Sequence, residues 1–504
     1  MRTPSNDLYE LIKSLSGNEK SYIKKKSGNF SSNDKIYLKL FDAINKYGTN
    51  EKKIQSTLKI KGISKAKNYL YEIILKSLRS YYKDISVNTN LTDMLRDIEI
   101  LYKKALFVQC SKLLDRAKKI AEKENKSIML LQIFEMEYKL FINFHFKNSA
   151  EVSREREIRQ LRILEEYSNT VKYSALSSKM LSFIKVHGHM RGVSAYTELT
   201  HIADDPLLKD VSNAVTEQSK SFFYNLNIVS TILLSDYEKA CYYCRQKVKL
   251  IEAELSDDNS ERKYALELSN LAIAETMSQQ YSEAASTINK MKSILINAPS
   301  KEMKVLLFQI VSISELNLLI HAGKPDKLHA LLPGIEDGLK NYKNSLNIYY
   351  KMNIHDNISK LFFMLRAFKK SLEWINPLII EDPIQVRPDY QCLIRIFYLV
   401  IHYEMKNFEL LSYLTINTYR FLKKMGGLYD FEETIITFMK RVSTMSGDSH
   451  IQEFKRLRKE LISFNNNKFD KKVFEDFDYL SWVESKIENI PYPEIIRRKV
   501  AARS

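Results

Sequence analysis

The chain has 504 residues, 44% of them hydrophobic and 28% charged, ordinary proportions for a folded protein, so wholesale disorder is excluded. Its 12 Gly and 10 Pro fall far short of the roughly 60 that average usage would give. β-Sandwiches and α/β folds need those residues at their many tight turns, so an all-α fold of long helices and short connections is expected.

The net charge of +17 is uneven. Residues 1–90 hold 18 Lys/Arg against 8 Asp/Glu, a balance of +10, and the last nine residues, IRRKVAARS, add +4. The remaining 405 residues are close to neutral, at +3. No run approaches the ~18 uninterrupted apolar residues of a membrane span. The N-terminus has no apolar leader with a cleavage site, and four cysteines do not make a disulfide framework. A cytoplasmic location without membrane insertion is expected.

Residues 1–90 read as a basic helical N-terminal module. A first helix carries Leu8, Leu11, Ile12 and Leu15. Ser16 and Glu19 form a capping-box pattern for a second, and SGNFSSND reads as a loop. A third helix holds Tyr37, Leu40, Phe41 and Ile44, with Gly48 as its C-cap. A short helix with Ile54 and Leu58 and the turn KIKGI lead into a long helix from Ser64 to about Lys83. Its apolar stripe is Tyr71, Ile74, Leu75, Leu78 and Tyr82.

Short helix, tight turn and longer basic helix is the outline of a helix-turn-helix module. The start of the last helix would then meet nucleic acid. The contact set expected is Lys65, Lys67, Asn68, Lys76, Arg79 and Lys83, with Ser64 and Tyr71 beside it and the lysines on phosphates. No arginine stands at the helix start, where it would read guanine. The alternative is that these lysines form a solvated face and the long helix simply caps the helices after it.

Residues 91–447 read as helix pairs. Leu131, Phe134, Tyr138 and Phe141 share one helical face. In LELSNLAIAETMSQQYSEAASTINKM, the first helix has Leu268, Leu271 and Ala272, and the second has Tyr281, Ala284, Ile288 and Met291. That second-helix register recurs as Tyr237, Ala240 and Cys244, as Pro325, Leu328 and Leu332, as Phe368, Ser371 and Ile375, and as Phe408, Leu411 and Thr415. The first residues of these sets are 44, 44, 43 and 40 apart. An earlier copy is Ala105, Phe107, Cys110, Leu114 and Ala117.

This pattern resembles the tetratricopeptide repeat, in which a small residue lets paired helices close and an aromatic residue fills the space beside the turn. It departs from that family in its spacing, about 43 residues instead of 34, and several copies lack the small residues. The resemblance covers roughly residues 92–445 and implies a right-handed α-α superhelix, a solenoid with an extended concave surface. The chain also resembles bacterial helical-repeat proteins of unassigned activity. Residues 448–504 read as C-terminal capping helices and a basic tail. Ile451, Phe454, Leu457 and Leu461 share a face, Trp482 is the apolar plug, and Pro491 and Pro493 stop the last helix.

Little of the chain points to chemistry. Cys241 and Cys244 form a CxxC, but the register puts both inside a helix, so buried small hydrophobes are expected. His187 and His189 have no carboxylate close by in sequence and read as a loop between helices. Asp204–Asp205 and Glu381–Asp382 read as turns. No nucleotide, zinc-protease or esterase motif occurs. The expectation is a non-catalytic scaffold without cofactor or metal that binds a protein or peptide partner. The alternative is a regulator whose N-terminal module binds nucleic acid.

Overall fold

The structure is a computed structural model that describes residues 6–27, 34–58, 63–82, 86–143, 149–188, 192–253, 258–380, 388–445, 450–467, 470 and 472–502. The fold is all-α, 86% helical, with no strand among the described residues. Lys83, His189, Glu381, Asp382, Asp448 and most of SGNFSSND and KIKGI lie outside them. The chain divides into two compact units, Met1–Tyr167 and Ser168–Ser504.

The first unit begins with α1 (Asp7–Ser14), α2 (Gly17–Ser27), α3 (Asp34–Tyr47), α4 (Glu51–Leu58) and α5 (Ile63–Tyr81). Glu19 accepts the Ser16 N–H at 2.6 Å and Ser16 Oγ accepts the Glu19 N–H at 3.3 Å, the reciprocal capping box that starts α2. Gly48 ends α3 at φ +64°, a conformation open to glycine at no steric cost. The five helices share one core of Leu8, Ile12, Ile23, Leu40, Phe41, Ile44, Ile54, Leu70 and Ile74. On α5 the buried residues are Ile63, Ala66, Leu70, Ile74 and Ser77. This corrects the expected stripe: Leu75 and Tyr82 are 38% and 40% exposed, because α5 is rotated toward the small residues Ala66 and Ser77.

A second core comes next, in α6 (Val87–Lys103), α7 (Phe107–Lys123) and α8 (Ser127–Asn143), with α9 (Ser149–His187) beginning in this unit. Leu130, Ile133, Phe134 and Leu140 form the inner face of α8, whereas Tyr138 is 55% exposed and stands outside it.

In the second unit, α10 (Gly192–Ala203) leads to consecutive pairs: α11 (Glu217–Leu233) with α12 (Tyr237–Glu252), α13 (Asp258–Met277) with α14 (Tyr281–Asn297), α15 (Lys301–His321) with α16 (Leu328–Asn341), α17 (Ile348–Met364) with α18 (Phe368–Ile380), and α19 (Pro388–Glu404) with α20 (Phe408–Met425). First helices also pack on one another, α13 on α15 and α15 on α17. Then come α21 (Asp430–Val442), α22 (His450–Asn466), α23 (Val473–Asp476), α24 (Tyr479–Glu488) and α25 (Tyr492–Ala501).

The turns within pairs share one backbone device. Ala105, Ser235, Gln279, Gly323, Arg366 and Lys406 all have positive φ. The next residue's N–H reaches back five positions, as from Asp236 to Thr231 O at 2.8 Å and from Ala367 to Phe362 O at 2.9 Å. These are Schellman closures, which satisfy the carbonyls left open at a helix end. Two residues after each left-handed position stands the aromatic or proline that starts the next helix. Three residues further on, Cys110, Ala240, Ala284, Leu328, Ser371 and Leu411 are buried at 0% exposure where the two helices meet.

By length and composition α15 is apolar enough to cross a membrane, but 72% of that stretch is buried within the protein, and Gln309 and Glu315 interrupt it. The end of the chain departs from expectation. Helix α24 stops at Asn489, which takes φ +55°, and Pro491 caps a further helix, because proline suits a helix start. The basic tail is therefore helical through Ala501, and Arg497 and Arg498 pair with Glu494 and Glu488.

Candidate functional site

The richest polar constellation lies in the second unit, where Lys472–Leu480 runs against the ends of the helix pairs. Lys472 comes first. Its ammonium donates to Ile232 O, in the last turn of α11, at 2.7 Å and to the Tyr237 hydroxyl at 2.8 Å. Tyr237 in turn donates to Glu475 at 2.5 Å, and Lys472 closes the ring on Glu475 at 2.6 Å. Burial and the adjacent Glu475 carboxylate push the Tyr237 hydroxyl far above its ordinary pKa, so it acts as a donor.

The next residue, Asp476, accepts from Lys360 of α17 at 2.7 Å, and Lys360 also pairs with Asp356, one turn earlier, at 2.6 Å. Tyr390 of α19 donates to the same Asp356 oxygen at 2.6 Å. Lys360 and Asp356 are buried, and an unpaired charge there would cost several kcal/mol. Burial raises the Asp356 pKa against the pull of Lys360. The Lys360 pKa is raised as well: burial opposes its charge, and the two carboxylates outweigh that.

Between the polar anchors, Phe477 inserts among Phe363, Phe397 and Tyr492, with ring centroids 5.4, 4.8 and 5.3 Å away. Tyr479 stacks edgewise on Phe431 at 5.1 Å. Trp482 is fully buried and donates its indole N–H to Glu404 at 2.7 Å, the polar partner that a buried Trp needs.

Beside this segment is a cavity of about 460 Å³. Met277, Ile320 and Met364 supply apolar wall, and Tyr237, His321, Lys360, Glu475, Asp478 and Lys499 supply polar wall. Burial lowers the His321 pKa to about 4, so the imidazole facing the cavity is neutral near pH 7. Lys499 is held by Glu484 at 2.9 Å and by the Ser481 hydroxyl at 2.7 Å. The cavity offers donors and acceptors of both signs next to apolar surface, a lining suited to orienting a ligand. Lys360, Glu475, Asp478 and Lys499 are already engaged in ion pairs within the protein.

Of these residues the sequence marks only Trp482, as an apolar plug, and Tyr237, as a repeat position; the polar network around them does not stand out. Glu475 and Asp476 lie in the stretch assigned to a capping role, and their partners Tyr237 and Lys360 are 238 and 116 residues away in the chain.

The residues expected to meet nucleic acid do not form one face of α5. Advancing about 100° per residue, Lys65, Asn68, Lys76 and Arg79 share the side opposite the buried face. Lys67 flanks the core on another side and is half-buried. Glu72, also exposed, stands in the middle of the first group. Lys83 lies outside the described residues.

Cys241 and Cys244 are buried inside α12, and burial raises both thiol pKa values, which keeps them protonated. His187 corrects the expectation of a loop. It ends α9, and its Nε2 meets Glu198 at 2.9 Å, a carboxylate 11 positions later that the fold brings across from α10. Asp204 pairs with Lys209, and Asp205 caps the short turn after it through the Leu207 N–H at 3.0 Å. Among the described residues no three His, Cys, Asp or Glu side chains converge as metal ligands. Comparison of the sequence with family models and with curated proteins finds no match.

Proposed function

We propose that this protein is a cytoplasmic, non-catalytic scaffold whose helix pairs, tetratricopeptide-like with a spacing near 43 residues, wind into a superhelix that holds a segment of a partner protein. One observation carries the reading. Residues of α12, α17 and α19 already hold a polypeptide segment, Lys472–Leu480, through alternating polar and aromatic anchors. Such a lining is chemically suited to a further segment in the adjoining cavity, whose 460 Å³ accommodates a few side chains.

Affinity capture from native cytoplasm tests this, with wild type compared against Met277→Trp, which fills the cavity. A protein enriched by the wild type and lost with the variant is expected. A captured set that does not respond to the variant would refute the cavity as the binding place.

A further inference from the structure

The N-terminal core leaves a cluster of tyrosine rings at the surface. Tyr22 of α2 meets Tyr81 of α5 edge to face, with centroids 5.0 Å apart, and Tyr81 meets Tyr82 at 4.9 Å. Tyr81 and Tyr82 are 39% and 40% exposed. The Tyr82 hydroxyl donates to Glu19 at 2.9 Å, which fixes that ring to the start of α2. The Glu19 carboxylate is shared between this hydroxyl and the Ser16 N–H.

Cations surround the rings. Lys24, Lys25 and Lys26 form the last turn of α2, and Lys26 Nζ lies 5.7 Å from the Tyr22 centroid. Lys25 is exposed one turn after Tyr22, and Arg79 is exposed one turn before Tyr82. Lys24 is already held by Asp42 at 2.6 Å.

We propose that this cluster is a stacking surface for single-stranded nucleic acid. Tyr81 and Tyr82 receive bases, and Lys25, Lys26 and Arg79 receive phosphates. Aromatic rings set beside cations are what a flexible polyanion with stacking faces requires, and stacking tolerates any base sequence. A duplex offers its bases only in the grooves, and the α5 face expected to meet one is interrupted by Glu72. An anionic membrane would call for penetrating aliphatic or Trp side chains. Leu75, two turns before Tyr82 on α5, is 38% exposed, and the charged side chains of Glu72 and Arg79 are exposed one turn to either side of it.

The test uses the full chain and a fluorescein-labelled oligothymidylate of about 15 nucleotides, within the span of known single-strand sites. Anisotropy is followed from about 50 to 200 mM salt. Tyr81→Ala with Tyr82→Ala should weaken binding by about tenfold or more, and Tyr81→Phe with Tyr82→Phe should retain it. Lys25→Glu with Lys26→Glu should flatten the log–log salt slope by about 1.4, since each phosphate contact to a single strand is worth about 0.7.

Circular dichroism checks folding, and the Phe and Glu variants keep the test decisive if the Ala pair unfolds. Affinity unchanged in the Ala pair would overturn the proposal, since charge alone would then be responsible. Tighter binding to a duplex of equal length, lost with Lys65→Glu and Lys76→Glu, would also overturn it. So would binding to phosphatidylserine vesicles with none to the oligonucleotide.

Discussion

Lys360 on α17 holds Asp476, 116 residues later in the chain, at 2.7 Å, and both stand next to the cavity that the C-terminal segment leaves open. The pair seats that segment on the helix pairs, with Phe477 driven into an aromatic pocket beside it. Replacing Lys360 with Met would leave the buried Asp356 and the half-buried Asp476 without a counter-charge. The expected cost is about 3–5 kcal/mol, read from urea unfolding. A loss below about 1 kcal/mol would mean that water reaches these carboxylates.

His321 gives the stability a pH dependence whose sign is fixed by burial. Its folded pKa is lowered to about 4 from the ordinary 6.5. The unfolded chain therefore takes up a proton that the folded one refuses. The stabilisation from a neutral His321 is complete above pH 6.5 and is lost as pH falls from 6.5 toward 4. About 3 kcal/mol is at stake over that window. Comparing wild type with His321→Leu isolates it: the two stability curves should diverge across this range and run parallel below it. Parallel curves throughout would show a solvated imidazole.

Ala284 is fully buried where α14 meets its partner helix. Ala284→Leu should overpack that contact and destabilise by about 1–3 kcal/mol, seen as a lower Tm. An unchanged Tm would contradict the packing register shared by Cys110, Ala240 and Leu411.

Lys406 occupies a left-handed turn position at φ +58° and its side chain is exposed. Lys406→Gly relieves the steric cost at Cβ and adds some unfolded-state entropy. A net gain of about 0.5–1 kcal/mol is expected. Destabilisation by the glycine would show that the Lys406 side chain makes a contact worth more than the strain.

The helix-pair register is legible in the sequence because packing demands a buried residue three positions after each aromatic starter, and Ala240, Ala284 and Ser371 carry that demand in their own identity. The turns that set it are not legible. Five of the six left-handed positions are Ala, Ser, Gln, Arg and Lys, residues without the usual glycine signal, so only the backbone reveals them. The rotation of α5 escapes the sequence for a related reason: Ala66 and Ser77 mark the close-packed face by smallness, whereas Leu75 and Tyr82 stand out by apolarity. The polar site is illegible because Lys360 and Glu475 are ordinary helix-surface residues, and Tyr237 reads only as a repeat starter, until tertiary contacts across about 116 to 240 positions bring them together.

Site-specific photo-crosslinking tests the scaffold reading most directly. A benzophenone amino acid placed at Met277, on the cavity wall, would be irradiated in native cells, and the adducts identified by mass spectrometry. The expected result is an adduct joining residue 277 to a segment of a different protein, competed away by that segment as a synthetic peptide. Adducts confined to this chain's own C-terminal residues, with no second polypeptide, would contradict the account.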